Sequence, residues 1–181
     1  MTLYLGAYMS GITNQYRTIG VDNYYKEHAI DYDNPHKKQV IECLSKLYSS
    51  NCEKVLDLAC GDGLVTKWIK EHFQAEVIGC DKFMAERYKK ETGKDCKEYT
   101  FQDIASNKSN LDKDFDLIIC SYAIDLVPKS YMSNLLWELA QISEHLLIIR
   151  PNNHILENNF WDVENKAKEG KAKAVLYKRK F

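Results

Sequence analysis

From residue 54 onward the chain alternates short apolar runs of strand character with stretches of helical spacing, and this constrains its fold more than any other feature. "KVLDLAC" (54–60) reads as a strand, and 64–73 as a helix with Leu64, Val65, Trp68, Ile69 and Phe73 on one stripe. "AEVIGCD" (75–81) is a second strand, 84–92 a second helix, and a shorter strand is expected around "KEYTFQ" (97–102). "DFDLIICSYAI" (114–124) is nearly continuously apolar, as a strand buried on both faces of a parallel sheet should be. A helix near 130–143 carries Leu135, Leu136, Leu139 and Ile142 and leads into the strand "HLLIIRP". The tail segments "FWDVENKA" and "KAVLYKRKF" read as a terminal strand pair. Ahead of all this, "PHKKQVIECLSKLYSS" sets Val40, Ile41, Leu44, Leu47 and Tyr48 at helical spacing, with Asn34 as N-cap and Pro35 in the first turn. The alternation predicts an α/β protein with a parallel, doubly wound sheet covered by helices on both faces.

A chain of 181 residues fits one domain and can bury about 70% of its unfolded surface without a disulfide or a metal. The net charge is −1, so nothing marks a generic polyanion binder. The six cysteines are Cys43, Cys52, Cys60, Cys80, Cys96 and Cys120; no two form a Cys-x-x-Cys pair, and they read as reduced thiols of an intracellular protein. The opening "MTLYLGAYMSGI" lacks a basic start and a long apolar core, and no segment approaches the roughly 20 apolar residues of a membrane span. A cytoplasmic protein without membrane association is expected. The lysines of the tail (Lys166, Lys168, Lys171, Lys173, Lys178, Lys180) are interrupted by Glu164 and Glu169, which favours a solvated sheet edge over an RNA surface.

In doubly wound sheets ligands sit at the carboxyl ends of the strands, where strand order reverses. Three successive strands are expected to end near a carboxylate: Asp57, Asp81 and Asp103. The first runs into Asp57-Leu58-Ala59-Cys60-Gly61-Asp62-Gly63, where Gly61 and Gly63 let the backbone pass close to a ligand. A dinucleotide site would want a third glycine where Thr66 stands, and a pyrophosphate would be repelled by Asp57. A ligand with a cationic amino-acid part and a nucleoside but no phosphate suits both features, and S-adenosylmethionine is such a ligand. Asp81, eighteen residues beyond Gly63, can accept from both ribose hydroxyls, with Lys82 and Phe83 beside it. Asp103 can accept from the adenine amino group, with Ile104, Phe83 or Met84 flanking the ring.

These motifs resemble those of the class I SAM-dependent methyltransferases over roughly residues 50–181. The family's acid-x-Gly-x-Gly-x-Gly motif corresponds to Asp57 through Gly63, with Ala59 in the first glycine's place and Cys60 and Gly61 following. The resemblance implies that Asp81 holds the ribose, that Asp103 contacts adenine, and that "FDLIICSYAIDLVP", with Ser121 and Tyr122, borders the methyl group. It also implies a Rossmann-like sheet of seven strands, the last antiparallel, S-adenosyl-L-homocysteine as product, and no metal. "GVDNYYKEHAIDYDNPHK" together with "CSYAIDL" is similar to a group of small, poorly characterised methyltransferases in which a His stands where this chain has Asp125.

The acceptor is less legible. "CSYA" replaces the Asp/Asn-Pro-Pro-Tyr of amino-methylating nucleic-acid enzymes, and no Pro-Cys nucleophile for pyrimidine carbon chemistry is present. A small-molecule or protein acceptor is therefore expected ahead of nucleic acid. One domain is expected over 1–181, with 1–50 an N-terminal lid and helical segment and 51–181 the cofactor-binding core. Tyr24, Tyr25, Tyr32 and His36 are candidates for the lid over the cofactor; Tyr25 and His36 there, and Asp125 after the fourth strand, are candidate catalytic residues. Two rival functions are a nicotinamide-dependent oxidoreductase using Asp81 on its ribose, and a catalytically silent SAM-binding subunit of a larger enzyme.

Overall fold

In the computed structural model, residues 36–181 are described. Seven strands form one sheet in the order β3-β2-β1-β4-β5-β7-β6. They are β1 (Lys54–Leu58), β2 (Glu76–Cys80), β3 (Cys96–Lys97), β4 (Phe115–Ser121), β5 (Ser143–Arg150), β6 (Trp161–Glu169) and β7 (Ala172–Arg179). The first five are mutually parallel, and β7 runs antiparallel to both β5 and β6. The sheet is thus mostly parallel with an antiparallel last strand, a Rossmann-like arrangement. Strand order reverses between β1 and β4.

The helices are α1 (Lys37–Leu47), α2 (Leu64–His72), α3 (Ala85–Thr92), α4 (Phe101–Ala105) and α5 (Lys129–Ile142). The apolar residues alternate along the central strands and divide the core into two layers. On one face Val40 and Leu44 of α1 and Val65 and Ile69 of α2 pack with Val55, Leu117, Ile119 and Leu147. On the other, Ile104 of α4 and Leu135, Leu136 and Leu139 of α5 pack with Leu56, Ile118, Leu146 and Ile148. Full burial of each such Leu or Ile contributes roughly 1.5–3 kcal/mol. α1, grouped with the N-terminal segment in the sequence reading, is a sheet-covering helix whose Val40, Cys43 and Leu44 are fully buried.

One boundary differs from expectation in a way that matters for the site. The strand expected over 97–102 is only the two residues Cys96–Lys97. Thr100 ends it by capping α4: its hydroxyl accepts from the Asp103 N–H at 3.0 Å, and the Asp103 carboxylate accepts from the Thr100 N–H at 2.9 Å. Asp103 therefore lies in the first turn of a helix and not at a strand end. At the far side of the sheet β6 is an edge strand with a register irregularity between Val163 and Asn165 and exposed Lys166 and Lys168. Charge and irregularity together discourage further strand pairing there. Among the described residues no helix is long and apolar enough to cross a membrane.

Candidate active site

The turn after β1 is built from left-handed backbone: φ is +56° at Ala59, +54° at Gly61 and +78° at Gly63. Backbone hydrogen bonds from the Ala59 and Cys60 N–H groups to the Cys80 carbonyl, 2.7 and 3.3 Å, pin the turn against the end of β2. The two glycines serve different ends. A Cβ on Gly63 would lie 2.3 Å from Thr92 Cγ2, so that residue is bare because α3 packs on it. Among the described residues a Cβ on Gly61 would meet nothing within 4 Å, so they leave the space over Gly61 open.

Asp57 lies beneath this turn. It is 2% exposed, and one carboxylate oxygen accepts from the Thr66 N–H at 3.1 Å and the Thr66 hydroxyl at 2.7 Å. The Thr66 hydroxyl also shares a hydrogen bond of 3.0 Å with the hydroxyl of fully buried Tyr88. Burial pushes the Asp57 carboxyl up to about 7 against the Thr66 hydrogen bonds, and the Asp81 and Asp62 charges add to the rise. The residue expected to contact the ligand is thus closed off and ties the turn to α2. Thr66 is its partner, and a hydroxyl nine positions on, in the first turn of α2, is the sequence signal for it.

Asp81 stands just past the end of β2, half-buried. Its Oδ1 accepts from the Phe83 and Met84 N–H groups at 2.9 and 3.1 Å, and its Oδ2 accepts from the Gly61 N–H at 3.1 Å. One carboxylate therefore fixes the glycine turn and the start of α3 relative to each other. Burial raises its pKa, opposed by these three N–H groups. Lys82 beside it is exposed and Phe83 half-buried.

Asp103 is engaged by the fold through one oxygen, and Ile104 is not placed to flank a ligand. The Asp103 Oδ2 is taken by the Thr100 N–H and hydroxyl, which hold its carboxyl below the usual range. Ile104 is 2% exposed and belongs to the core. At the end of β4, Tyr122 has φ +57°, a strained conformation for a bulky residue, and its N–H donates to the Ile149 carbonyl at 2.7 Å. The Ser121 and Tyr122 hydroxyls are buried with no hydrogen-bond partner among the described residues. Burial pushes the Tyr122 hydroxyl up to about 12. The His36 ring stacks on that of Tyr122 with centroids 4.5 Å apart and planes 12° apart, and burial lowers the His36 pKa. Two residues 86 positions apart in sequence are thus brought together.

Asp125 does not have the freedom expected of a base. Its two oxygens accept from Arg150 Nη1 and Asn152 Nδ2, both at 3.0 Å, and Arg150 is 4% exposed. This clamp joins the turn after β4 to the end of β5. Tyr24, Tyr25 and Tyr32 lie outside the described residues. Among the described residues no group of three or more His, Cys, Asp or Glu side chains is placed to hold a metal ion.

A mostly parallel sheet whose order reverses between β1 and β4, with a left-handed glycine turn at the end of β1 and an acid just past β2, defines the class of doubly wound α/β proteins, in which ligands sit at the carboxyl ends of the strands. A methyltransferase domain family matches residues 55–145. An uncharacterized protein of Schizosaccharomyces pombe is 30% identical over 177 residues, covering 74% of this chain and 72% of that protein. Among solved structures, the N-methyltransferase NodS from Bradyrhizobium japonicum, in complex with S-adenosyl-L-homocysteine, has a TM-score of 0.65 at 11% identity over 88% of this chain and 98% of that one. A protein from Pyrococcus horikoshii has a TM-score of 0.64 at 19% identity, with 89% of this chain and all of that one covered. A TehB-like SAM-dependent methyltransferase from Corynebacterium glutamicum has a TM-score of 0.61 at 12% identity, with 97% of this chain and all of that one covered. The chain belongs to the class I SAM-dependent methyltransferase family and is an enzyme of that class.

Proposed function

We propose that the chain transfers the methyl group of S-adenosylmethionine to a small-molecule or protein acceptor, and that the cofactor lies across the turn Ala59–Gly63 with its ribose on Asp81. The observation that carries this reading is the Asp81 carboxylate set 3.1 Å from the Gly61 N–H beside a turn whose outer space the described residues leave open. Each carboxylate oxygen keeps lone-pair capacity beyond its backbone partners, so Asp81 can still accept from vicinal hydroxyls. Lys82 and Phe83 follow on the same side as candidate contacts to the nucleoside. Asp103 retains Oδ1 for an adenine amino group while Oδ2 caps α4.

The bound cofactor supplies an electrophilic methyl carbon on a sulfonium. The protein's part is to hold the acceptor in line and receive any proton it releases. Ser121 and Tyr122 at the end of β4, with buried hydroxyls unpartnered among the described residues, are the groups proposed to border the transfer. His36, kept neutral near pH 7 by burial and stacked on Tyr122, is the proposed base on the acceptor side. Calorimetric titration of the full chain tests the cofactor assignment. Saturable binding of S-adenosylmethionine, displaced by S-adenosylhomocysteine and absent with a nicotinamide dinucleotide, is expected; no binding of the first two overturns it.

A further inference from the structure

All six cysteines are free thiols, yet two of them, 36 residues apart in sequence, meet at the glycine turn. Cys60, inside the turn, has its Sγ 3.5 Å from the Sγ of Cys96, the first residue of β3. Bond formation requires the sulfurs to close to about 2.05 Å, a movement of roughly 1.5 Å that a short loop can supply. The two differ in access. Cys60 is 7% exposed, whereas Cys96 is half-exposed on a strand of only two residues.

We propose that Cys60 and Cys96 form a reversible disulfide that withdraws the glycine turn from the cofactor, so that the chain carries a thiol modification site within its own binding loop. The co-reactant is a low-molecular-weight disulfide. The Cys96 thiolate, having lost its proton to solvent, attacks one sulfur of that disulfide, displacing one small thiolate and leaving a mixed disulfide on Cys96. Cys60 loses its proton to the first displaced small thiolate and then attacks Cys96 Sγ, forming the Cys60–Cys96 bond and displacing the second small thiolate, which takes a proton from solvent. In total two protein thiols are oxidised and one small disulfide is reduced to two thiols. Burial, the contact with Cys96 and the nearby Asp57 charge hold the Cys60 thiol up, which makes it the slow, resolving partner and Cys96 the entry point.

The consequence follows from the turn's anchoring. Gly61, next to Cys60, donates to Asp81, and Cys60 itself donates to the Cys80 carbonyl. Pulling Cys60 toward β3 displaces the Gly61 N–H from Asp81 and shifts the open space above it. The gating part of the proposal rests on the cofactor site proposed above.

The test treats the full chain with oxidised glutathione and maps tryptic peptides without reduction, while S-adenosylmethionine affinity is followed by calorimetry. A linked pair of peptides 55–67 and 95–97, two mass units lighter than the sum of the separate peptides, is expected. Affinity should fall at least tenfold and recover with dithiothreitol; Cys96→Ser should keep its affinity throughout, and Cys80→Ser should still link Cys60 to Cys96. Absence of the linked peptide overturns the disulfide, and a linked protein that binds as tightly as the reduced one overturns the gating. A reduced protein that never binds S-adenosylmethionine overturns the cofactor site itself, a separate result because the peptide map is read independently.

Discussion

Replacing Asp57 by Asn should remove the pH dependence that this residue imposes on folding. The carboxyl is buried, accepts two hydrogen bonds from Thr66, and sits at about 7, against 3.8 for an ordinary aspartate. Because the folded-state pKa is raised, the native protein holds a proton there that the unfolded chain has already released between these two values. Stability from this group is complete below the unfolded pKa and is lost as pH rises through about 7. At 1.36 kcal/mol per unit, the loss between pH 5 and pH 8 is about 2.5 kcal/mol, since the last unit lies above the native pKa. Asn is nearly isosteric with the protonated acid and can still accept from Thr66.

Urea unfolding of both proteins at pH 5, 6.5 and 8, followed by the fluorescence of Trp68, Trp137 and Trp161, measures the difference. Other carboxylates act in the opposite sense. Asp103, Glu91 and Glu169 have lowered pKa values, so their contribution disappears on acidification. They are common to both proteins and cancel in the comparison. The variant should gain about 2.5 kcal/mol on the wild type from pH 5 to pH 8. A difference that stays constant across this range would show that Asp57 is ionised in the folded protein throughout, and the account of it as a neutral anchor would be refuted.

Asp81→Ala should weaken S-adenosylmethionine binding by about 1–3 kcal/mol, the range for removing a charged hydrogen-bond acceptor; unchanged calorimetric affinity would remove Asp81 from the site. Gly63→Ala should cost about 1–3 kcal/mol of stability, because its Cβ meets Thr92 Cγ2 at 2.3 Å in left-handed backbone, and adding Thr92→Ser should recover part of the loss in thermal unfolding. Ala59→Gly, relieving φ +56°, should leave stability unchanged or raise it by up to about 1 kcal/mol in the same assay. Asp125→Asn should lower stability by about 1 kcal/mol, since Asp125 is half-exposed and its partner Arg150 is not; loss of turnover at unchanged stability would instead restore it as a base.

The fold was legible because it depends on periodicities that survive in a single sequence. The run over 114–124 is apolar because β4 lies between two helical layers, and Leu64, Val65, Trp68 and Ile69 share a stripe because α2 covers the sheet. The third strand was misread for an equally local reason. Tyr99, Thr100 and Phe101 favour strands, but Thr100 and Asp103 stand three apart and cap a helix, and this reciprocal pair of hydrogen bonds prevails over β propensity. Pairings across the fold left weaker traces. Nothing local to Asp125 announces Arg150 and Asn152, and nothing local to His36 announces Tyr122.

The acids of the motif show why residue type at a strand end indicates a site sooner than it assigns roles. Asp57, Asp81 and Asp103 were read as three ligands to one cofactor, but each of them first satisfies backbone donors that the fold would otherwise leave buried. Asp57 takes the Thr66 N–H, Asp81 the N–H groups of Gly61, Phe83 and Met84, and Asp103 that of Thr100. Unpaired donors of this kind cost about 1–3 kcal/mol each, so the carboxylates are required by the turns before any ligand arrives. Degree of closure then separates them. Asp57 is sealed at 2% exposure, whereas Asp81 is only half-buried and keeps lone-pair capacity beyond its three N–H partners. Substituting the first should therefore be read out in stability and its pH dependence, and substituting the second in cofactor affinity.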